Sequence, residues 1–224
     1  LVGSEMCIRD RLAAARVGTR GLVIGCDLSP AMLAIATAKP AVSGGGEIEY
    51  HETPAERLPV ANGSVDVVTC QQGLQFFPDR PAALAEMYRA LRPGGRLGVA
   101  VWAEIEQCPP FCALGDAIEE VLGADLAQRY RGGPWGFPDG ERLGGLLEDA
   151  GFDDVQVSKP VLPITIEGGP AQLVSTLAVT PLAGEIDQLS DEQRRRLIDG
   201  VAQRTGEGPI ASQLGSNIAL ARRT

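Results

Sequence analysis

Gly21-Leu-Val-Ile-Gly-Cys-Asp-Leu-Ser-Pro30 joins an apolar run of strand length to the start of a helix. Two further apolar runs follow, in Ser64-Val-Asp-Val-Val-Thr-Cys-Gln71 and in Leu91-Arg-Pro-Gly-Gly-Arg-Leu-Gly-Val-Ala-Val-Trp102, and helical sequence separates the three. Short apolar runs that alternate with helical segments are typical of a parallel sheet with helices on both faces. The order therefore predicts a doubly wound, Rossmann-like α/β fold.

Local signals divide the first half of the chain further. Ser29 and Pro30 are residues typical of a helix start, and Asn62-Gly63 marks a turn. We expect strands over residues 22–27, 47–51, 64–71 and 96–102, a helix that begins at residue 30, and an amphipathic helix over residues 80–91.

The sequence changes character after Trp102. Residues 103–138 contain several prolines and glycines and are expected to form a lid over the ligand-binding edge of the sheet. A helix over residues 139–151 and a strand over residues 154–166, bent by two prolines, should follow. Residues 168–208 are expected to form a helical insertion, in which Ser190 and Gln193 make a capping box. Residues 217–222 would add a C-terminal antiparallel strand to a mostly parallel sheet.

Asp27 ends the first predicted strand and is the strongest candidate for a binding residue. A carboxylate at the carboxyl end of a strand in an open α/β sheet can accept hydrogen bonds from both hydroxyls of a ribose. It could also simply favour the dipole of the helix that follows. A Rossmann dehydrogenase would carry an acid here too, so Asp27 indicates a nucleoside cofactor and leaves the reaction open.

In this order the three segments resemble the class I S-adenosylmethionine-dependent methyltransferases, particularly the small-molecule group that includes the ubiquinone/menaquinone C-methyltransferases. The resemblance runs from about Leu12 to Trp102 and returns weakly from Phe137 to the end. It implies S-adenosylmethionine as cofactor and methyl transfer to a small organic acceptor.

The resemblance also implies roles for individual residues. Leu28 and Met32 would pack against the adenine, Ala55 and Glu56 would contact it through their backbone, Gln71 would face the cofactor's ammonium group, and Gln75, Phe76 and Trp135 would lie on the substrate side. Core packing explains Met32 and Phe76 equally well.

Two positions depart from the family pattern. Pro54 stands where many relatives carry an aspartate, so the side chain of Glu56 is expected in solvent. Gln75 stands where many relatives carry a histidine, and an amide cannot act as a general base near neutral pH. No catalytic residue is therefore assigned.

The segment before Gly21 lacks the family's first strand and glycine-rich loop. Residues 12–18 are typical of the end of the helix that should follow that loop, whereas residues 1–11 match nothing in the family. We therefore expect residues 1–11 to be a non-native tail, residues 12–224 to form one methyltransferase-like domain truncated at its N-terminus, and its activity to be impaired.

Composition excludes several classes of partner and site. A net charge of −9 disfavours nucleic acid. Five scattered cysteines predict reduced thiols and a cytoplasmic location. Cys108 and Cys112 could be half of a metal site, but zinc needs about four ligands and the single histidine, His51, is far away in sequence, so no metal is predicted. No stretch approaches the roughly 20 apolar residues of a membrane span.

Two other functions stay open. One is a nucleoside-cofactor oxidoreductase of Rossmann type, which the absence of a lysine four residues after Tyr50, Tyr88 or Tyr130 weakens. The other is a noncatalytic or inert methyltransferase fragment.

Overall fold

A computed structural model of the protein describes residues 4–180 and 182–224. The strands in this part of the chain are β1 (Leu22–Asp27), β2 (Glu47–Glu52), β3 (Val65–Gln71), β4 (Leu91–Trp102), β5 (Asp153–Ser158), β6 (Val161–Ile166) and β7 (Ile210–Arg222). The helices there are α1 (Ser4–Val17), α2 (Pro30–Thr37), α3 (Arg80–Ala90), α4 (Pro109–Leu122), α5 (Ala124–Gly132), α6 (Gly140–Asp149), α7 (Gly169–Ser175), α8 (Ala183–Asp187) and α9 (Asp191–Thr205).

The predicted α/β class with a C-terminal antiparallel strand is confirmed. β1 pairs with β2 and β3 pairs with β4, both in parallel. β7 runs antiparallel to β4, β5 and β6, and the larger sheet has the order β3, β4, β7, β5, with β6 also on β7. The last strand is longer than expected, because it begins at Ile210 and pairs along its first half with β6.

The strands form two separate sheets. β1 and β2 make one sheet, the other five strands make the second, and among the described residues no strand joins β1 to β3. Helix α1 connects the two at their carboxyl ends. Arg9 donates a hydrogen bond of 3.0 Å to the carbonyl oxygen of Gln71 at the end of β3. The neighbouring Asp10 carboxylate lies 3.4 Å from where a Cβ on Gly25 of β1 would be.

Among the predicted boundaries that differ from the structure, two differ because of contacts with β7 or with Arg223, the residue after it. The strand expected over residues 154–166 is divided into β5 and β6, which pair with different halves of β7. Helix α3 ends at Ala90, and Leu91 is already extended. The Arg223 guanidinium donates to the carbonyl oxygens of Tyr88, Arg89 and Leu91 and thereby caps the end of α3.

Arg223→Ala is expected to destabilise the protein by about 2–4 kcal/mol, because charge-assisted hydrogen bonds to the end of a helix are lost together with the contact over the Tyr88 ring. Urea unfolding measures this change. Arg222→Ala is the matched control, since Arg222 makes one exposed ion pair with Asp154 at 3.7 Å. Equal effects of the two substitutions would contradict this role of Arg223.

Two hydrophobic cores lie on different parts of the larger sheet. One is formed by α3 and α6 against the inward faces of β4 and β7, with Leu97, Val99 and Ala219 at its centre. The other lies within a helical layer made of α4, α5, α7, α8 and α9, which we call the cap. Its fully buried residues include Leu114, Ile118, Leu173, Leu177 and Leu197.

The cap unites two segments that the sequence presented separately. The expected lid (103–138) supplies α4 and α5, and the expected insertion (168–208) supplies α7 to α9. Their close packing is visible at Gly200 of α9, where an added Cβ would lie 3.2 Å from the Cβ of Ala117 in α4. The capping box of Ser190 and Gln193 at the start of α9 is confirmed. No helix in the described part of the chain is both long and apolar enough to cross a membrane.

Candidate active site

Asp27 lies at the carboxyl end of β1, where the chain turns into α2. One carboxylate oxygen accepts a hydrogen bond of 2.7 Å from the amide of Ser29, and the Ser29 hydroxyl caps α2 by accepting from the amide of Met32. The second oxygen of Asp27 has no hydrogen-bond partner among the described residues. Leu28 is 64% exposed beside it and Met32 is half-buried. This corner therefore presents a carboxylate and an apolar surface together.

The segment with Ala55 and Glu56 is a tight turn fixed beside Asp27. The amide of Thr53 donates to the carbonyl oxygen of Asp27 at 3.1 Å, and the Thr53 hydroxyl donates to the carbonyl oxygen of Arg57 at 2.6 Å. The amide of Arg57 closes the turn on Pro54. The structure thus brings together Asp27 and the turn, the two parts of the chain that the family resemblance assigns to the adenosine end of a cofactor.

Glu56 differs from expectation. Its Oε1 atom is buried and has no hydrogen-bond partner among the described residues, so the expectation of a solvated side chain is wrong for that oxygen. Burying a carboxylate oxygen without a donor is costly, and such an atom calls for an explanation. A ligand that brings an N–H group to the turn would supply the missing donor.

The second half of the site begins at the end of β3. The side chain of Gln71 is exposed and its backbone oxygen already accepts from Arg9, so the side-chain oxygen is the more available acceptor for a cation. Gly73 allows close packing of the turn, because a Cβ there would lie 3.1 Å from Cys70 Sγ. Phe76 is half-buried.

Gln75 is held rigidly and is 4% exposed. Arg80 donates to the carbonyl oxygens of Leu74 and Gln75, at 3.1 and 2.8 Å, which fixes the turn that carries it. The Gln75 amide nitrogen donates to the Gln72 side chain at 3.3 Å, and the Gln72 amide nitrogen donates to the Ser216 hydroxyl at 3.2 Å. Sequence reasoning assigned no role to Gln72 or Ser216, because nothing local indicates that β7 passes beside the end of β3.

A cavity of about 410 Å³ lies next to these amides, on the face of the larger sheet away from α3 and α6. Ala100 and Ile218 contribute to its floor, and Gln72 and Ser216 lie at its polar end. The lining residues are Thr69, Cys70, Gln71, Gln72, Gly98, Val99, Ala100, Trp102, Pro160, Leu162, Ile164, Leu214, Ser216 and Ile218. None of these described residues is Asp, Glu, His or Lys, so the cavity walls offer binding and orientation and no strong base.

The cap reaches this cavity through Trp102. One side of Trp102 lines the cavity, and its ring centroid lies 5.5 Å from that of Trp135, which lies 5.5 Å from Phe111. Trp135 is 6% exposed. Trp135 therefore supports the cavity wall from within the cap. Because Trp102 lies between Trp135 and the cavity, the predicted contact of Trp135 with a substrate would be indirect.

The four cysteines whose side chains are described have thiols that are not activated as nucleophiles. Burial raises the pKa of the Cys70 thiol and that of Cys26 to about 11, so both stay protonated at neutral pH. Burial also raises the pKa of Cys108 and of Cys112. Across the described residues, no group of three or more His, Cys, Asp or Glu side chains is arranged to hold a metal ion.

Comparison with protein families identifies the chain. A family model described as the ubiE/COQ5 methyltransferase family matches residues 8–165. The chain belongs to this family.

Curated members of the ubiE/COQ5 family are similar over the same region. The ubiquinone/menaquinone biosynthesis C-methyltransferase UbiE of Klebsiella pneumoniae is 35% identical over 156 residues, which cover 62% of this chain and 59% of that protein. A demethylmenaquinone methyltransferase of Lactococcus lactis is 35% identical over 153 residues, covering 64% and 60%. The chain thus spans about three fifths of the length of these relatives.

Solved structures agree on the fold. The YcgJ protein of Bacillus subtilis matches with a TM-score of 0.55 at 18% identity, over 98% of both chains. CrArsM, an arsenic(III) S-adenosylmethionine methyltransferase of Chlamydomonas reinhardtii, matches with a TM-score of 0.52 at 20% identity, over 95% of this chain and 58% of that one.

Proposed function

We propose that the protein binds S-adenosylmethionine and transfers its methyl group to a small organic acceptor in the cavity beside Gln72. The observation that carries this proposal is the turn bonded to Asp27 through Thr53, in which the buried Glu56 Oε1 has no hydrogen-bond partner among the described residues, because the two carboxylates offer acceptors for the amine and ribose hydroxyls of an adenosine. Helix α1 connects this corner to the end of β3, where the acceptor cavity begins. The names of the Klebsiella and Lactococcus relatives support a quinone-type acceptor.

The residues of this chain would act by holding the cofactor and by aligning it with the methyl acceptor. Asp27 would bind the ribose, the turn at Ala55 and Glu56 would bind the adenine edge with Leu28 and Met32 along its face, and Gln71 would face the amino-acid end. The chemistry that S-adenosylmethionine supplies when bound is an electrophilic methyl group on sulfur. Such a transfer depends on alignment and on water exclusion from the nucleophile, which suits a cavity without a general base.

The proposal also covers the class of partner, the cellular location and the domain limits of the protein. The net charge of −9 supports a small-molecule partner in preference to nucleic acid, and the cysteine content supports a cytoplasmic location. The domain limits expected from the sequence, residues 12–224 with a non-native tail before them, stay a prediction. In the structure α1 runs across residue 12 from Ser4 to Val17.

The test compares two cofactors and then measures turnover. Calorimetry should detect weak binding of S-adenosylhomocysteine and none of NAD, whereas NAD binding alone would favour the oxidoreductase. Incubation with S-adenosylmethionine and 1,4-naphthohydroquinone should form S-adenosylhomocysteine, detected by mass spectrometry. Cofactor binding without turnover on any acceptor would favour a noncatalytic protein.

Glu56→Gln is expected to remove selectivity for adenine. If the carboxylate accepts from the adenine amine, the protein binds adenosine about tenfold more tightly than inosine, which has an oxygen in place of that amine. The dissociation constants of the variant for adenosine and for inosine should differ by no more than about twofold. Calorimetric titration measures both affinities, and Glu49→Gln on β2 is the control. Equal affinities in the unaltered protein would contradict this assignment.

A further inference from the structure

The backbone at Gln72 adopts a left-handed conformation, with φ of 53°. In the described chain only one other residue besides glycine, Asp154, has a positive φ. Glycine adopts a left-handed conformation most easily, and Gly73 is the next residue. The left-handed conformation nevertheless lies at Gln72. Strain of this kind persists where surrounding contacts fix it, and it concentrates at functional sites.

Contacts from three elements fix Gln72. Its amide nitrogen donates to the carbonyl oxygen of Ala100 on β4 at 2.7 Å. Its side chain then extends across the end of β4 to Ser216 on β7 and accepts from Gln75 on the other side. Gln72 is 9% exposed and Gln75 is 4% exposed. We call the row Gln75, Gln72 and Ser216 the amide bridge.

The amide bridge retains hydrogen-bonding capacity that the described residues do not use. The side-chain amide nitrogen of Gln72 carries two N–H groups, of which Ser216 accepts one. The Ser216 hydroxyl accepts this bond and donates none to the described residues. Gln75 Oε1 is buried and has no hydrogen-bond partner in the described part of the chain. Since Gln72 and Ser216 line a cavity whose other walls include Ala100, Leu162 and Ile218, their unused donors are concentrated at one end of an apolar space.

We propose that Gln72 and Ser216 anchor the methyl acceptor by donating hydrogen bonds to an oxygen that it carries, while its apolar body lies along Ala100 and Ile218. The ligand class is an apolar molecule with a hydroxyl or carbonyl oxygen at one end. Gln72 is then a positioning residue, and its strained backbone holds the donor at the edge where β3 ends. This inference rests on the proposed function, because it takes the cavity as the acceptor site.

A pair of probes that differ in one group tests the anchor. 4-Fluorophenol and 4-fluorotoluene have nearly the same size and differ by a hydroxyl in place of a methyl group. Their dissociation constants can be measured by fluorine NMR on the full chain, and the phenol-to-toluene selectivity is compared between variants. Ser216→Ala and Gln72→Leu should each lower this selectivity about 3- to 10-fold, the value of one lost hydrogen bond.

Ser212→Ala is the matched control, since Ser212 lies four residues earlier on β7 and outside the cavity lining. It should leave the selectivity unchanged. Selectivity that survives Ser216→Ala and Gln72→Leu, or a protein that binds neither probe, would overturn the anchor. Binding of S-adenosylhomocysteine is measured on the same variants. If it persists while the selectivity test fails, the anchor is wrong and the proposed function stands, whereas its absence from the unaltered protein overturns both.

Discussion

Asp27→Ala is expected to weaken binding of S-adenosylhomocysteine by about 10- to 150-fold, equivalent to roughly 1.5–3 kcal/mol, the range of hydrogen bonds to a charged group. The second oxygen of Asp27 is free of partners among the described residues, and the turn at Thr53 is fixed to the Asp27 backbone. Calorimetric titration of the variant against the unaltered protein measures the loss.

Two controls separate ligand binding from the local structural role of Asp27. Asp27→Asn keeps an oxygen that can accept from the Ser29 amide, so it should retain the start of α2 and still lose part of the affinity. Glu52→Ala removes the carboxylate opposite Asp27 in the parallel register of β1 and β2 and should change affinity little. An Asp27→Ala protein with lower thermal stability and unchanged affinity would show that the carboxylate serves the helix alone.

The parts of the fold that sequence predicted are those encoded by neighbouring residues. Ser29 and Pro30 start α2, Ser190 and Gln193 start α9, and the apolar runs locate β1, β3 and most of β4, because caps and periodicity act over a few residues. The same local pattern placed Asp27 at a strand end, whereas the role of the turn at Ala55 came from the family resemblance.

The parts that sequence missed depend on contacts between distant residues. Ser216 lies 144 residues from Gln72, so no local pattern connects them. Two separate insertions build one cap because each buries its apolar face against the other. The end of α3 is fixed by Arg223, more than 130 residues later. Glu56 was expected in solvent because Pro54 stands where many relatives carry an aspartate, whereas the fold buries one of its oxygens.

Replacing residues 1–11 with a six-residue apolar strand and a glycine-rich turn, joined to Leu12, is expected to raise affinity for S-adenosylhomocysteine by about 100-fold, the value of one or two hydrogen bonds to a charged ligand. Among the described residues β1 and β3 each have an unpaired edge, and Arg9 and Asp10, in the middle of α1, contact the two strands. A parallel strand between them could pair with both edges. The turn would supply backbone N–H groups, and the Gln71 carbonyl oxygen would be released from Arg9.

The same graft with proline at alternate strand positions is the control, because proline removes the N–H groups that pairing needs while the glycine turn remains. Amide hydrogen exchange should show new protection along β1 and β3 in the first graft and not in the second. The contrary result is that the unaltered chain binds S-adenosylhomocysteine as tightly as the first graft does. That result would show that the first turns of α1 already substitute for a strand and loop in binding the cofactor. In that case Arg9, which bonds to the end of β3, would be the first residue to substitute.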